Sequence, residues 1–364
     1  MLQLLKTYSR SFLAERRSEE MSFLTIKNVK LEGISAGVPK NISPAISTTD
    51  KYGAEDFVAT TGVIEKRYSN DFTTSDLCLA AANQLIDDLG WDKKEIGALI
   101  FVSQTPDYIL PATSCILQDK LGLSKDCYAL DISLGCSGWV YGMSVISSLM
   151  SGGAIKKGLL LAGDARKQCY EEPDQLFGFA GTATALSFSE NCDDMQFHFG
   201  TDGSGYDAII KPVGGTRNQV TAEALVPQMC SDGRKRHLFQ TVMKGMDVFS
   251  FGITTAPKSI KKLAAENNFD LNDVDYFVFH QANKKMNETI RNKLKLPVEK
   301  VPYSMTHFGN TSSASIPITI VTQIAENVRH CRTNIIGCGF GVGLSWGTVR
   351  FTMDNPVISN LVEL

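Results

Sequence analysis

No apolar run in this 364-residue chain approaches the roughly 20 residues that a membrane-crossing helix needs. An excess of one charge is also missing. The chain has 36 Lys and Arg against 39 Asp and Glu, a net charge of −3, and a nucleic-acid binder would usually carry a basic stripe. CxxC spacing is absent. The nine cysteines (Cys78, Cys115, Cys127, Cys136, Cys169, Cys192, Cys230, Cys331 and Cys338) are scattered and odd in number, which fits neither a zinc site nor a disulfide framework. Reduced, buried thiols of a cytoplasmic protein are the expectation. No glycine-rich stretch ends in GK[ST], so no phosphate loop is read. The first twenty residues lack the apolar core and small-residue cleavage site of a secretory signal. They read as a dispensable helix or as a start placed too early, with the fold opening at Met21. Their short apolar face disfavours a membrane-surface helix.

What is present is an ordinary globular composition, 43% hydrophobic and 21% charged, with length for one large domain or two of about 150–180 residues. Strand-like and helix-like segments alternate, which predicts an α/β architecture. "IGALIFVSQTPD", "KKGLLLAGDAR", "VDYFVFHQANK" and "NIIGCGFGVGLSWGTVRFTM" read as strands, and "ALDI" as a buried strand. A faint repeat links "GWDKKEIGALIFVSQTPD" to "NFDLNDVDYFVFHQANKK", with Trp91 to Val102 spaced as Phe269 to His280. It suggests two similar halves: 21–200, and 201–364 with a Gly- and Asp-rich linker, after an N-terminal extension of 1–20.

The chemistry centres on "DISLGCSGWVYG", where Cys136 sits between a strand and the helix "WVYGMSVISSLM". A helix start offers unpaired N–H groups and a positive dipole end, so a depressed thiol pKa is expected. The Cys136 N–H could serve an oxyanion. His280 ends the strand "VDYFVF", where catalytic groups of α/β sheets collect. Asn310 lies in "HFGNTSSASIP", a tight loop of small residues whose Asn could also be turn chemistry. His198, His237, His307 and His330 read as structural or surface residues. "GCGFGVGLSWG" lets backbone approach a substrate closely, or is a bulged strand.

"CSGWVYG", "HQAN", "GNTSSASIP" and "GFGVGLSWG", in this order, resemble the β-ketoacyl-acyl-carrier-protein synthase III family, as do "TTGVIEKR", "TPDYILPATSCILQDKLG", "TDGSG" and "MKGMDVFSF". The resemblance spans nearly all of 21–355. It implies a thiolase-like five-layer αβαβα fold with pseudo-twofold halves, a homodimer, and a Cys-His-Asn set at Cys136, His280 and Asn310. It implies an oxyanion hole from the N–H groups of Cys136 and Gly343, and a decarboxylative condensation of an acyl group on Cys136 with a malonyl thioester on acyl-carrier protein, with no metal or redox cofactor. Lys284 and Lys285 would face the acidic carrier protein, and Leu110 would stand where the family often has a Phe reaching into the partner's pocket.

Three departures bear on substrate. Asp56 and Thr60 stand where members primed by acetyl-CoA carry Trp and Arg. The second Arg before "LFG" is missing. Phe179 replaces an Asp. In the family that Trp and the second Arg stack on the adenine of CoA, so the resemblance with these departures implies a primer on a carrier protein, or a specialised pathway rather than bulk fatty-acid initiation. The rival is a thiolase-fold acyltransferase passing the acyl group to an alcohol or amine. A thiolase would need a second cysteine, and Cys338 is the residue to examine. A chain-length factor would lose the nucleophile, and a thiol protease would not share the surrounding motifs.

Overall fold

The computed structural model describes residues 23–45, 54–166, 175–230 and 235–364. The extension 1–20 and Cys169 lie outside them. Eleven strands form one continuous pairing network: β1 (Phe23–Ile26), β2 (Val29–Val38), β3 (Ile96–Val102), β4 (Tyr128–Ile132), β5 (Lys157–Asp164), β6 (Ala180–Phe188), β7 (Met195–Thr201), β8 (Tyr276–Phe279), β9 (Arg332–Gly341), β10 (Ser345–Ile358) and β11 (Val362–Glu363). The helices that matter are α1 (Ala54–Thr61), α2 (Thr74–Leu89), α3 (Thr113–Leu121), α4 (Gly138–Met150), α5 (Gly245–Glu266), α6 (Lys284–Leu294) and α7 (Ser315–Gln323).

The pairing contains the same pattern twice. In the first copy β3 pairs parallel with β5, β5 antiparallel with β6, and β6 antiparallel with β2. In the second, β8 pairs parallel with β9, β9 antiparallel with β10, and β10 antiparallel with β7. The copies join where the end of the long strand β10 runs parallel to β2.

Side-chain alternation separates the layers, because successive strand residues face opposite sides. On β3, Ala98, Ile100 and Val102 enter a central cluster, whereas Leu99 and Phe101 enter an outer one with Leu85 and Ile86 of α2. On β8, Val278 is central, while Phe277 and Phe279 face outward against Ile260 of α5 and Ile290 of α6. Between the sheets lie α4 and α7. Trp139, Met143 and Ile146 of α4 and Ile316, Ile318 and Ile320 of α7 are fully buried in the central cluster, as a helix covered on both sides requires. The order is helix, sheet, helix, sheet, helix.

Two readings of the sequence need correction. β4 is a strand but not a buried one: it pairs only with β3, at the edge, and leaves Tyr128 and Leu130 exposed. "NIIGCGFGVGLSWGTVRFTM" is not one strand, bulged or otherwise. It is the hairpin of β9 and β10, turning over Val342–Leu344.

Candidate active site

The site forms at the C-terminal ends of β3, β5 and β8, where α4 and α7 begin. Cys136 is half-buried in the turn from β4 to α4, which closes with the Gly138 N–H on the Gly135 carbonyl at 2.7 Å. Glycine at 138 lets α4 start close against β3, since a Cβ there would stand 2.5 Å from Cγ1 of Val102 and force a shift. The β9–β10 turn covers the thiol. A Cβ on Gly339 would lie 2.6 Å from the Cys136 carbonyl oxygen, and one on Gly341 would lie 2.9 Å from its Sγ. Ser345 pins this turn: its Oγ donates to the Val342 carbonyl at 2.8 Å and meets Ser137 Oγ at 2.7 Å. Among the described residues, the N–H groups of Cys136 and Gly343 donate to no other residue.

His280 and Asn310 come to the same place. His280 is buried just past β8, its N–H on the Cys338 carbonyl at 2.8 Å. Its Nδ1 lies 3.0 Å from Ser315 Oγ on the first turn of α7. That hydroxyl is also 2.7 Å from the Ser312 carbonyl, so its one proton has two claimants. Asn310 is 5% exposed. Its Oδ1 accepts from the Ser312 N–H at 2.9 Å, and among the described residues no acceptor meets its Nδ2. Ser312 joins the three groups. Its hydroxyl faces the Cys136 thiol, its carbonyl faces the His280 ring and its N–H holds Asn310. Ser312 does this at φ +52°, a backbone conformation that a serine rarely adopts.

The expected depression of the thiol pKa is not met. Burial pushes the Cys136 thiol up to about 11. The Arg166 guanidinium pulls it down, the Asp164 carboxylate pushes it up, and the Ser312 hydroxyl and its own N–H pull it down again. A helix start lends only a partial charge, which desolvation outweighs here. Burial likewise holds His280 down, to about 3, so the imidazole is neutral. One consequence is measurable. The thiolate is the nucleophile, and with a pKa near 11 only about one thiol in 10³ is ionised at pH 8. Alkylation of Cys136 by iodoacetamide should therefore rise about tenfold per pH unit from pH 7 to pH 10. A plateau already reached by pH 8 would refute this.

Several contributors were not legible in the sequence. Asp164, 3% exposed, ends β5. Its Oδ1 accepts from the Gln104 N–H at 2.9 Å and from Ser103 and Thr105 Oγ1 at 3.1 Å, and Oδ2 faces Ser313 Oγ at 3.5 Å. It ties the end of β3 to the Asn310 loop. The signal that could have found it is an acid closing an apolar strand. Cys338 points away from the nucleophile. It is buried in the outer cluster with Phe277 and Ile336, takes a hydrogen bond from Thr348, and burial raises its thiol to about 12. No second nucleophile is placed at the site by it.

The remaining residues singled out lie outside this cluster. Leu110 is 80% exposed on the loop before α3. Lys284 and Lys285 are exposed on the first turn of α6, where Gly62 packs against Lys284. Asp56 and Thr60 are exposed on α1. Phe179 has a packing role: it is buried against Tyr68, Leu77 and Ala165. His198 is buried on Ser259 Oγ at 2.8 Å, and His307 is exposed beside Glu65.

Comparison with known proteins gives a consistent picture. A profile described as 3-oxoacyl-(acyl-carrier-protein) synthase III matches residues 130–203, and its C-terminal counterpart matches residues 264–353. A β-ketoacyl-(acyl-carrier-protein) synthase III of Clostridium perfringens is 31% identical over 335 residues, covering 88% of this chain and 98% of the relative. Its namesake from Geobacillus kaustophilus is 31% identical over 79% of this chain and 86% of its own. Among solved structures, a 3-oxoacyl-(acyl-carrier protein) synthase of Burkholderia xenovorans superposes with TM-score 0.87 at 33% identity, covering 94% of this chain and 99% of that one. The synthase III of Pseudomonas aeruginosa superposes with TM-score 0.79 at 25% identity, over 91% of this chain and all of the other.

Proposed function

The chain belongs to the 3-oxoacyl-(acyl-carrier-protein) synthase III family, with its thiolase-like fold, and we propose that it is a condensing enzyme whose nucleophile is Cys136. The Cys136 thiolate adds to an acyl thioester and expels the carrier thiolate, giving an acyl-enzyme. The oxyanion of that addition lies between the N–H groups of Cys136 and Gly343. A malonyl thioester on acyl-carrier protein then enters. His280 Nε2 and Asn310 Nδ2 donate to its carbonyl, CO2 leaves, and the same donors hold the enolate. The enolate carbon attacks the acyl-cysteine, which frees the sulfur and releases a 3-oxoacyl product. Nε2 carries a proton when Ser315 turns its hydroxyl proton to Nδ1.

The observation that carries this reading is the pairing of a neutral, buried imidazole with an amide whose Nδ2 is unpartnered among the described residues. Two neutral donors suit an enolate. A protease's Cys-His couple would need an imidazole able to accept the thiol proton.

The primer arrives on a carrier protein. Exposed Asp56 and Thr60 offer no aromatic or cationic platform for an adenine, and Lys284 and Lys285 offer positive charge beside them. The protein works as a homodimer in the cytoplasm. Tyr108, Ile109 and Leu110 are 62%, 90% and 80% exposed, and the edge strand β4 exposes Tyr128 and Leu130, a surface that a second copy would cover. In that dimer Leu110 enters the partner's acyl pocket and leaves more room there than Phe would. The eight described cysteines are free, as in a reducing compartment. Among the described residues no helix is long and apolar enough to cross a membrane.

Mass spectrometry tests this directly. The protein is mixed with acyl-CoA and acyl-carrier protein of several chain lengths, with Cys136→Ala as control, and the native mass is read from the same preparation. We expect an adduct on the unsubstituted dimer only, formed faster from the carrier protein and discharged by malonyl-carrier protein as a 3-oxoacyl product. Efficient loading from acetyl-CoA would refute the primer assignment. An adduct that malonyl-carrier protein leaves in place would move the reading to an acyltransferase.

A further inference from the structure

Arg166 is a charged residue that the reaction above does not use. It follows β5, two residues after Asp164, and it is half-buried. Its guanidinium lies over the Phe177 ring, 4.4 Å from the centroid. Phe177 forms a β-bridge with Asn310. On either side of that bridge the Asn310 N–H donates to the Leu176 carbonyl at 2.8 Å and the Gly178 N–H to the Asn310 carbonyl at 3.1 Å. The cation therefore stands on the segment that holds a catalytic amide. No hydrogen bond or ion pair engages it among the described residues. Asp164, the nearest acid in sequence, is occupied by Ser103, Gln104, Thr105 and Ser313.

A guanidinium has five donors and pairs strongly with planar oxyanions. Held on a ring, half out of water and without an acceptor among the described residues, it is arranged for an anion that those residues do not supply. Lys211 strengthens this. Its ammonium lies over Phe239, 4.5 Å from the centroid, and it feels the charge of Arg166. The two cations thus add to one positive field.

We propose that Arg166 receives a carboxylate on the acyl part of a thioester substrate. This rests on the reading of Cys136 as the acylated nucleophile. The acyl end is favoured over the phosphate of the pantetheine arm because the Phe177 ring under Arg166 belongs to the segment bridged to Asn310, whose amide meets the thioester carbonyl in the reaction proposed above. The phosphate is held a whole arm's length from the thioester carbon. The carboxylate has two sources, the malonyl extender or a dicarboxylic primer such as succinyl. If it is the malonyl carboxylate, a cation that stabilises it in the ground state is not repaid as neutral CO2 forms. Its contribution then lies in KM rather than kcat.

The test uses the full-length protein with Arg166→Gln and Arg166→Lys. Loading of Cys136 is timed with succinyl- and butyryl-carrier protein, and the rates are compared as a ratio, so that any change in thiol reactivity cancels. Butyryl-loaded protein is then discharged with malonyl-carrier protein, and KM and kcat are separated. If the carboxylate is on the primer, the succinyl-to-butyryl ratio falls about tenfold in Arg166→Gln and recovers in Arg166→Lys. If it is on the extender, that ratio holds while the malonyl KM rises about tenfold with kcat kept, again recovering in Arg166→Lys. The proposal is overturned if the ratio and the malonyl KM both stay within about twofold, or if all substrates slow together, since Arg166 would then act only on the thiol. An unsubstituted protein that no thioester acylates would instead overturn the assignment of Cys136, and this proposal with it.

Discussion

His280→Ala and Asn310→Ala should each slow the malonyl step by about 10²–10³, a loss of about 2.7–4 kcal/mol of transition-state stabilisation, as for other oxyanion donors. The geometry says why the effect should be step-specific. The charge that grows as CO2 leaves is on the malonyl carbonyl oxygen, and the groups free to meet it are His280 Nε2 and Asn310 Nδ2. In the proposed mechanism acyl loading develops its charge elsewhere, against the N–H groups of Cys136 and Gly343. Loading should therefore change by only a few-fold. The imidazole is buried and neutral at every working pH, its pKa held down to about 3. It gains nothing from protonation, so the malonyl step should show no acid limb near pH 6–7 from this residue. The double variant should lose less than the product of the single losses, because Ser312 couples the two donors. Single-turnover measurement of each half-reaction decides the matter, with thermal melts to show that the variants fold. Equal losses in loading and condensation would contradict the division of roles.

Much of the fold could be read from the chain because its local chemistry is repeated. In both halves a residue with positive φ follows the helix, Gly90 at +62° as the cap itself and Asn268 at +52° one residue past the cap. An aromatic residue follows, then an aspartate whose carboxylate caps a single 3₁₀ turn: Asp92 accepts from the Lys94 N–H and Asp270 from the Asn272 N–H. The strands β3 and β8 come next. The faint match of Trp91–Val102 with Phe269–His280 is that shared connection. The layers were less legible, since alternation along an all-apolar strand has no polar face to mark it. That is also why "ALDI" looked buried: apolarity does not distinguish the middle of a sheet from an edge that another surface covers.

At the site the motifs named the residues that the fold brings together but not their surroundings. Cys136, His280 and Asn310 each sit in a distinctive stretch. Ser312, whose N–H holds Asn310 and whose hydroxyl and carbonyl face Cys136 and His280, is one serine of "TSSAS", and nothing in that string says which serine takes the positive φ. The thiol illustrates a second limit. Proximity to a helix start is a local feature, visible in "CSGWV". Desolvation comes from the tertiary structure, with Gly341 near the β9–β10 turn close against the thiol, and it is the largest influence on the pKa. Arg166 is likewise unmarked in sequence, because its importance comes from what the tertiary structure sets beside it.

That turn supplies the second large effect. Gly341→Ala should slow acylation of Cys136 by about 10² or more. A methyl group at Gly341 would stand 2.7 Å from Cβ and 2.9 Å from Sγ of the nucleophile, closer than packed atoms approach. Rotation of the thiol would relieve only the second contact, so the backbone of the turn or of Cys136 must move. Neither is free to do so. The turn is fixed to the Cys136 loop through Ser345 and Ser137 and to Asp202 through paired backbone bonds at 2.8 and 3.0 Å. The Cys136 loop is closed by the Gly138 N–H. Overpacking of this kind costs about 1–3 kcal/mol of stability, and it displaces the sulfur from the amides that serve its oxyanion. Gly152→Ala is the control, since a Cβ there meets nothing within 4 Å, and it should leave both the melting temperature and the acylation rate unchanged. Acylation of Gly341→Ala at the unsubstituted rate would mean that the turn does not set the position of the nucleophile. The repeated glycines of "GCGFGVG" would then owe nothing to the chemistry.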